Sequence, residues 1–215
     1  MPSPDTILAG LSPIGNQWRW LATTWHLLLG ALMVALAAGW RPSLRLTGSL
    51  LVAPLLSVSL VAWLSGNPFN GTLFAILSAL LVAMVVRVAD VVVRPASPGW
   101  LALALAFVAV GGTYPHFLET HSWTTYVYAS PFGTLPCPTL LVVIGGTLIF
   151  PNLGSTSWRM VLALAGLLYG GIGVFRLEIT LDWSLLLAAG VLGGTVVRDA
   201  VEAASLRGAS CPSPH

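Results

Sequence analysis

Imidazole and thiol groups are rare in this chain, which has four histidines and two cysteines in 215 residues. Four of these side chains are candidate metal ligands: His26, His116, His121 and Cys137. Imidazole and thiolate together suit copper, zinc or haem iron. Each side chain also has a structural interpretation, because histidines hydrogen-bond within helix bundles or join interfacial aromatic belts, and a cysteine can be a small residue in a rigid turn. Both interpretations stay open from the sequence.

Cys137 has the most informative neighbours, because it lies between Pro136 and Pro138. Proline suits the first turn of a helix, where no N–H group is needed, so Pro138 predicts a helix start with Cys137 near its N-cap. Pro136 pushes Leu135 towards extended geometry. We therefore expect the sulfur to be held at a helix N-terminus, with a histidine close enough for both side chains to bind the same metal ion.

The elements that would position these side chains are membrane spans. The chain is 56% apolar and 7% charged, whereas a soluble domain carries about 25% charged residues. A span needs about 20 apolar residues. The composition predicts an all-α integral membrane protein, a single domain over residues 1–215 with a flexible tail at about 203–215. Seven transmembrane helices are predicted, roughly at residues 20–40, 47–65, 72–93, 99–118, 138–152, 158–175 and 182–197.

Arginine placement indicates whether the short fifth segment crosses the membrane. Cytoplasmic loops are the ones enriched in basic residues. With seven crossings, seven of the nine basic residues share one side and only Arg19 and Arg176 lie on the other. If the fifth segment does not cross, the split becomes five to four. We therefore predict seven spans with the N-terminus outside and the C-terminus inside, which brings the four candidate ligands to the outer half.

Several functional classes are excluded or disfavoured by the same sequence. The arginines are dispersed without a basic run, so nucleic acid is not a partner, and two distant cysteines make no disulfide framework. No hydrolase motif is present, so no catalytic residue is predicted and an enzyme is disfavoured. No acidic residue lies in mid-span, which disfavours a proton- or ion-coupled transporter. Glu178 and Asp182 flank the last outer turn beside Arg176, and we interpret them as a surface ion pair.

Glycines four residues apart in the last two spans predict close helix packing, since small residues let helix backbones approach in lipid. These are Gly166 with Gly170, and Gly190 with Gly194. The expected partners are the lipid bilayer and either other membrane subunits or a second copy, docked through these glycine-rich helices.

Residues 100–150 resemble a bacterial family of multi-pass membrane proteins that is classed as a domain of unknown function. The shared features are a Tyr-Pro pair at the end of a span, a histidine in the following loop, a Phe-Gly element and a Pro-Cys-Pro-Thr start to the next span. In this chain they are Tyr114, Pro115, His121, Phe132, Gly133 and residues 136–139. The resemblance implies a helical fold in the bacterial inner (cytoplasmic) membrane, and no particular activity.

Two functions remain open at this point. In the first, the chain is a structural or accessory membrane subunit, and the Pro-Cys-Pro-Thr turn is architectural. In the alternative, it is a metal- or haem-binding membrane protein with an outer-face site at the start of the fifth span. That site would consist of His26, His116, His121 and Cys137, with copper, zinc or haem as the cofactor.

Overall fold

The computed structural model describes residues 3–88, 91–120, 122–153 and 155–209, and this part of the chain forms nine helices. Their bounds are α1 (Pro4–Gln17), α2 (Arg19–Ala37), α3 (Leu44–Leu64), α4 (Pro68–Val85), α5 (Pro98–Gly112), α6 (Thr125–Ala129), α7 (Pro136–Ile149), α8 (Thr156–Phe175) and α9 (Asp182–Ala209). The described residues contain no strand beyond an isolated bridge between Ser43 and Val92. The predicted all-α fold is confirmed.

Five of these helices are long and apolar enough to cross a membrane, namely α2, α3, α4, α8 and α9. The apolar helices α5 and α7 are shorter, with 15 and 14 residues. Five such helices identify an integral membrane protein. Each of the seven predicted segments overlaps one of these seven helices, and α9 continues to Ala209, so that the predicted tail begins inside a helix.

The third predicted span, residues 72–93, was drawn too long at its C-terminal end. Helix α4 ends at Val85 and is followed by a turn, and Val92 then forms an isolated bridge with Ser43. There the Leu44 N–H group donates to the Val91 carbonyl, and the Val93 N–H group donates to the Pro42 carbonyl. These residues are apolar because they pair with the loop between α2 and α3, and Val93 is itself buried.

Helix α1 was missed by the sequence analysis, which placed no helix before residue 20. Its start carries three familiar signals: Ser3 as N-cap, Pro4 in the first turn and Asp5 beside the positive end of the helix dipole. Ile14 of α1 is buried and belongs to a small apolar cluster with Leu135. The helix therefore lies against the segment that leads into α7.

The loops between helices gather at two ends of the bundle. Of the described residues, 65–67, 113–120, 122–135 and 176–181 make the Tyr114 end, and 38–43, 86–88, 91–97, 150–153 and 155 make the Arg159 end. At the Arg159 end, the Arg94 N–H group donates to the Asn152 side chain and the Ala96 N–H group donates to the Ile149 carbonyl. Successive helices thus run in alternating directions between the two ends.

Helix α7 is the centre of the bundle, and every one of its residues except Cys137 is buried. It packs against α3, α5, α8 and α9. At its crossing with α5, a Cβ atom on Gly111 would lie 2.8 Å from the Pro138 carbonyl oxygen, and one on Gly145 would lie 2.9 Å from the Ala104 carbonyl oxygen. The two backbones therefore touch, which only glycine allows at these positions.

The glycine pairs predicted in the last two spans divide into one that packs and one that does not. A Cβ atom on Gly170 would lie 3.1 Å from the Leu186 nitrogen, and Gly166 is equally close to α9 and α7. Gly190 and Gly194 do not pack within the described chain, because an added Cβ atom on either would meet nothing within 4 Å, and their docking against a partner stays a prediction. Both lie on the exposed face of α9, since its contact with α8 uses the opposite face.

Candidate functional site

Cys137 lies at a helix start, as predicted, although the helix begins two residues earlier than Pro138 indicated. Leu135 is the N-cap in extended conformation, Pro136 is the first residue of α7 and Cys137 follows it. The Thr139 hydroxyl fixes the turn, because it donates to the Leu135 carbonyl at 2.7 Å and accepts the Gly133 N–H group at 2.8 Å. Thr139 therefore fixes the loop that leads into α7, while no side chain caps the helix start itself.

The Cys137 thiol interacts with Asp182, the first residue of α9, which lies within hydrogen-bonding contact of it. The Tyr114 hydroxyl donates to Asp182 Oδ1 at 2.6 Å. Tyr114 and Asp182 are both fully buried. We call these three side chains, from the loop after α5 and from the first turns of α7 and α9, the Asp182 centre.

The interpretation of Asp182 as part of a surface ion pair was wrong, because this residue is buried. Its carboxyl is 0% exposed, and Oδ2 has no hydrogen-bond partner of regular geometry in the described residues. The carboxyl lies so close to Gly173 of α8 that a Cβ atom there would overlap it. Because a buried carboxylate is costly without compensation, its place at the N-terminus of α9 matters, where the helix dipole favours negative charge.

Tyr114 keeps its proton in this setting. Burial raises the pKa of the Tyr114 hydroxyl, and the neighbouring Cys137 and Asp182 raise it further. The phenol therefore stays a hydrogen-bond donor throughout the physiological pH range. The Tyr169 hydroxyl of α8 makes a comparable hydrogen bond, since it donates to Asn70 Oδ1 of α4 at 2.9 Å.

Helix α1 and the loop after α5 cover the Asp182 centre. The Ser12 and Asn16 side chains both donate to the Phe117 carbonyl, at 3.2 and 3.0 Å. Phe117 has a φ of 69°, in the left-handed region that favours glycine. Ile7 of α1 packs against the apolar cluster that contains Tyr114. The Asp182 centre is therefore closed off on the side of the chain's first helix.

His26 has both of its ring nitrogens in contact with backbone carbonyls. Nδ1 lies 2.7 Å from the Ala22 oxygen and Nε2 lies 2.6 Å from the Gly112 oxygen of α5. A neutral imidazole carries one N–H group and can donate to only one of these carbonyls, so both bonds together require the doubly protonated ring. A metal at His26 would have to displace one carbonyl, so the geometry favours its predicted role as a link between helices.

In the described residues, His116 is not grouped with Cys137 and Asp182. His116 lies edge-on against Phe117, with ring centroids 4.3 Å apart, and its partial burial lowers the pKa of the imidazole. His121 lies outside the described residues. Within the described ranges, no three His, Cys, Asp or Glu side chains are placed together to hold a metal ion. The shared site of His26, His116, His121 and Cys137 thus stays a prediction.

Asp182 is the site residue that the sequence analysis missed, although a signal was present. An acidic residue that directly precedes an apolar run of this length is typical of a helix start, and a carboxyl there enters the outer part of the bundle. What the sequence lacks is any mark that Gly173 leaves space for this carboxyl. Pairwise spacing in the chain also gives no link between residues 114, 137 and 182.

Comparison of the chain with models of known protein families, with characterised proteins and with solved structures gives no match. The resemblance around the Pro-Cys-Pro-Thr turn therefore stays a prediction.

Proposed function

We propose that this chain is a seven-span protein of the bacterial inner membrane, with its N-terminus outside, and that it acts as a structural or accessory membrane subunit. One observation carries the functional part of this proposal. Most polar groups around the Pro-Cys-Pro-Thr turn are engaged with the backbone or with another side chain: Thr139 with the turn backbone, His26 with two carbonyls and Tyr114 with Asp182. A framework uses its polar groups in this way, whereas a binding site leaves some of them free for a ligand.

The seven-span topology is supported by the alternation of the loops between the Tyr114 end and the Arg159 end. Helix α7 offers only 14 residues, or about 21 Å at the α-helical rise. It is surrounded by other helices, however, so that lipid need not match its length. Nine basic residues are present, and Arg19 of α2 and Arg176 of the α8–α9 turn lie near the Tyr114 end. Six of the other seven belong to the Arg159 end or to the helix turns next to it: Arg41, Arg45, Arg87, Arg94, Arg159 and Arg198. That bias supports an inner position for the Arg159 end.

Labelling of introduced cysteines tests the topology. In a chain with Cys137→Ser and Cys211→Ser, we would place single cysteines at Ser122 and Ser205, which are both exposed. A membrane-impermeant maleimide added to intact cells should label Ser122→Cys and spare Ser205→Cys until the membrane is permeabilised. Labelling of both positions in intact cells would contradict seven crossings.

Substitution of Cys137 separates a framework from a metal site. Serine is smaller than cysteine and can donate to Asp182, so a framework predicts that Cys137→Ser changes the free energy of unfolding by less than about 1 kcal/mol. It also predicts the same metal content in both purified proteins, measured by elemental analysis, and no haem absorption in the visible spectrum. A loss of stoichiometric metal or haem in the variant would reject the framework role.

The metal-binding alternative is favoured by one specific observation, the unpartnered Oδ2 atom of Asp182 close to the Cys137 thiol. Thiolate sulfur and carboxylate oxygen are both zinc ligands. In this case copper or zinc should be present at one ion per chain, and both Cys137→Ser and Asp182→Asn should remove it. The variant His121→Ala would show whether the predicted histidine completes the site, since it should lose the ion only if the imidazole is a ligand.

A further inference from the structure

A cavity of about 270 Å³ opens at the Arg159 end, at the opposite end of the bundle from the Asp182 centre. It lies between the first turn of α5, the last turn of α7 and the facing sides of α8 and α9. A second hollow of about 250 Å³ adjoins it and shares two of its lining residues, Ser97 and Trp100. This hollow continues along α5 to Leu103, which is apolar and partly exposed. The two spaces form one groove that runs from a polar chamber to the apolar side of α5.

The chamber is lined by two guanidinium groups. Arg159 is 13% exposed, and its terminal nitrogens donate to Thr195 at 3.1 Å and to Asp199 at 2.7 Å. Arg198 is 56% exposed and approaches the same carboxylate at 3.3 Å. Two arginines therefore share Asp199 at this wall. Glu202 also approaches Arg198, at 3.7 Å, but it is 68% exposed, and an ion pair open to water contributes little.

Hydrogen-bond donors at the chamber remain without acceptors in the described chain. Arg159 Nε is buried and has no hydrogen-bond partner there. Ser97 is the N-cap of α5, and its side chain accepts no capping bond. The Thr147 and Thr195 hydroxyls, by contrast, already donate to carbonyls of their own helices. Of the two arginines at the chamber, Arg159 is held by Thr195 and Asp199, whereas the more exposed Arg198 has N–H groups left for a further acceptor.

We propose that this groove binds one anionic phospholipid, with the phosphate in the chamber beside Arg159 and Arg198 and an acyl chain along Trp100 and Leu103. An oxyanion there can accept hydrogen bonds from the Arg198 guanidinium, which lines the cavity and is more than half exposed. Trp100 is 39% exposed and is a residue type that favours the membrane interface. The apolar continuation along α5 selects an amphiphile over a free anion.

A lipid-binding assay on the full-length chain in neutral detergent tests this site. The probe is a fluorescently labelled phosphatidylglycerol, and phosphatidylcholine with the same label provides the zwitterionic comparison. We expect saturable binding of the first lipid with at least about fivefold lower Kd than the second, since one arginine near an anionic lipid contributes about that factor. Equal Kd values for the two lipids would overturn the proposal.

Charge variants locate the binding. Arg198→Gln should raise the Kd for phosphatidylglycerol about fivefold. Arg41→Gln removes the same charge at the same end of the bundle, but Arg41 donates to the carbonyls that end α2 and does not line the cavity. It should leave the Kd within about twofold. Equal weakening by both variants would mean that the lipid responds only to net charge, and the site would be rejected.

Ser97→Glu provides a test that a loss of folding cannot imitate. A carboxylate at the start of α5 is favoured by the helix dipole, so thermal stability should be kept or raised. The same carboxylate repels a phosphate in the chamber, so phosphatidylglycerol binding should fall at least about tenfold. Unchanged binding would overturn the proposal, and so would displacement of the lipid by an equal concentration of inorganic phosphate, because that outcome would assign the chamber to a soluble anion.

Discussion

Helices α7 and α2 are held in the bundle by different forces. Helix α7 is buried on all sides and touches α5 backbone to backbone at two glycines. Helix α2 is longer, but Ala22 is its only buried residue. It is attached by a few polar contacts: Trp25 Nε1 donates to Ser57 of α3 at 3.0 Å, and His26 meets the Gly112 carbonyl of α5. Packing therefore fixes α7, whereas hydrogen bonds at one end fix α2.

This difference follows from the solvent. In lipid, apolar side chains gain little by leaving the bilayer for another helix, so association depends on close packing and hydrogen bonds between helices. Helix α7 uses the first device and α2 uses the second. A helix that is held by hydrogen bonds, such as α2, should be sensitive to substitution of single polar residues and tolerant of added side-chain volume. A helix that is held by close packing, such as α7, should be sensitive to added volume and tolerant of polar substitutions.

The largest expected effect comes from added volume at the α5–α7 contact. Gly111→Leu would press a side chain into the Pro138 carbonyl, which is backbone and cannot move aside. We expect a loss of about 3 kcal/mol in the free energy of unfolding. The matched control is Gly30→Leu in α2, where an added Cβ atom meets nothing within 4 Å. Thermal unfolding in detergent should be unchanged for this control, and similar losses in both variants would end the distinction between the two helices.

The second effect concerns the contact of α2 with the turn before α7. Gly133 has a φ of 77°, and a Cβ atom there would collide with the Trp25 ring. Gly133→Ala should therefore cost about 2–3 kcal/mol, from backbone strain and displacement of α2 together. Gly66→Ala isolates the strain, because Gly66 has a φ of 70° but lies in open space, and it should cost about 1 kcal/mol. Equal losses in thermal denaturation would show that Trp25 does not anchor α2.

A smaller effect is expected from His26→Phe, which keeps the ring and removes its bonds to the Ala22 and Gly112 carbonyls. The loss should be about 1–2 kcal/mol, because the Gly112 carbonyl keeps its bond from the Ser130 hydroxyl. Thr24→Val removes a hydroxyl that bonds only within α2 and should change stability by less than about 0.5 kcal/mol. Chemical denaturation of the two variants side by side checks this order, and the reverse order would refute a polar anchor at His26.

The smallest effect is a pH dependence from His116, which lies outside both helices. Burial lowers the pKa of this imidazole in the folded chain below its usual value of 6.5. The unfolded chain therefore binds more protons between the folded pKa and 6.5, and stability should fall as the pH is lowered through that window. His116→Phe should flatten the slope of stability against pH. An unchanged slope would assign the dependence to another group.

The sequence predicted the helices well and the contacts poorly, for a physical reason. Span positions follow from apolar runs, which is why each of the seven predicted segments overlaps a helix. The ends are less well placed, because α4 and α5 end at Val85 and Gly112, before the predicted ends, and α9 continues to Ala209. Which face of a helix packs depends on the partner, so Gly170 and Gly194 are indistinguishable in the chain although only Gly170 is in contact. The Asp182 centre joins residues 114, 137 and 182, and no local pattern carries that information.

The shortness of α7 has a consequence for biosynthesis. On the proposed topology its 14 residues cover about 21 Å of a hydrocarbon core of about 30 Å, and it emerges from the ribosome after α5 but before α8 and α9. Alone it is a poor substrate for the insertion machinery, since it cannot bridge the bilayer. We expect the integration of α7 to wait for the helices that will surround it. The most buried helix of the folded protein would then be the last of the first six predicted spans to reach its final position.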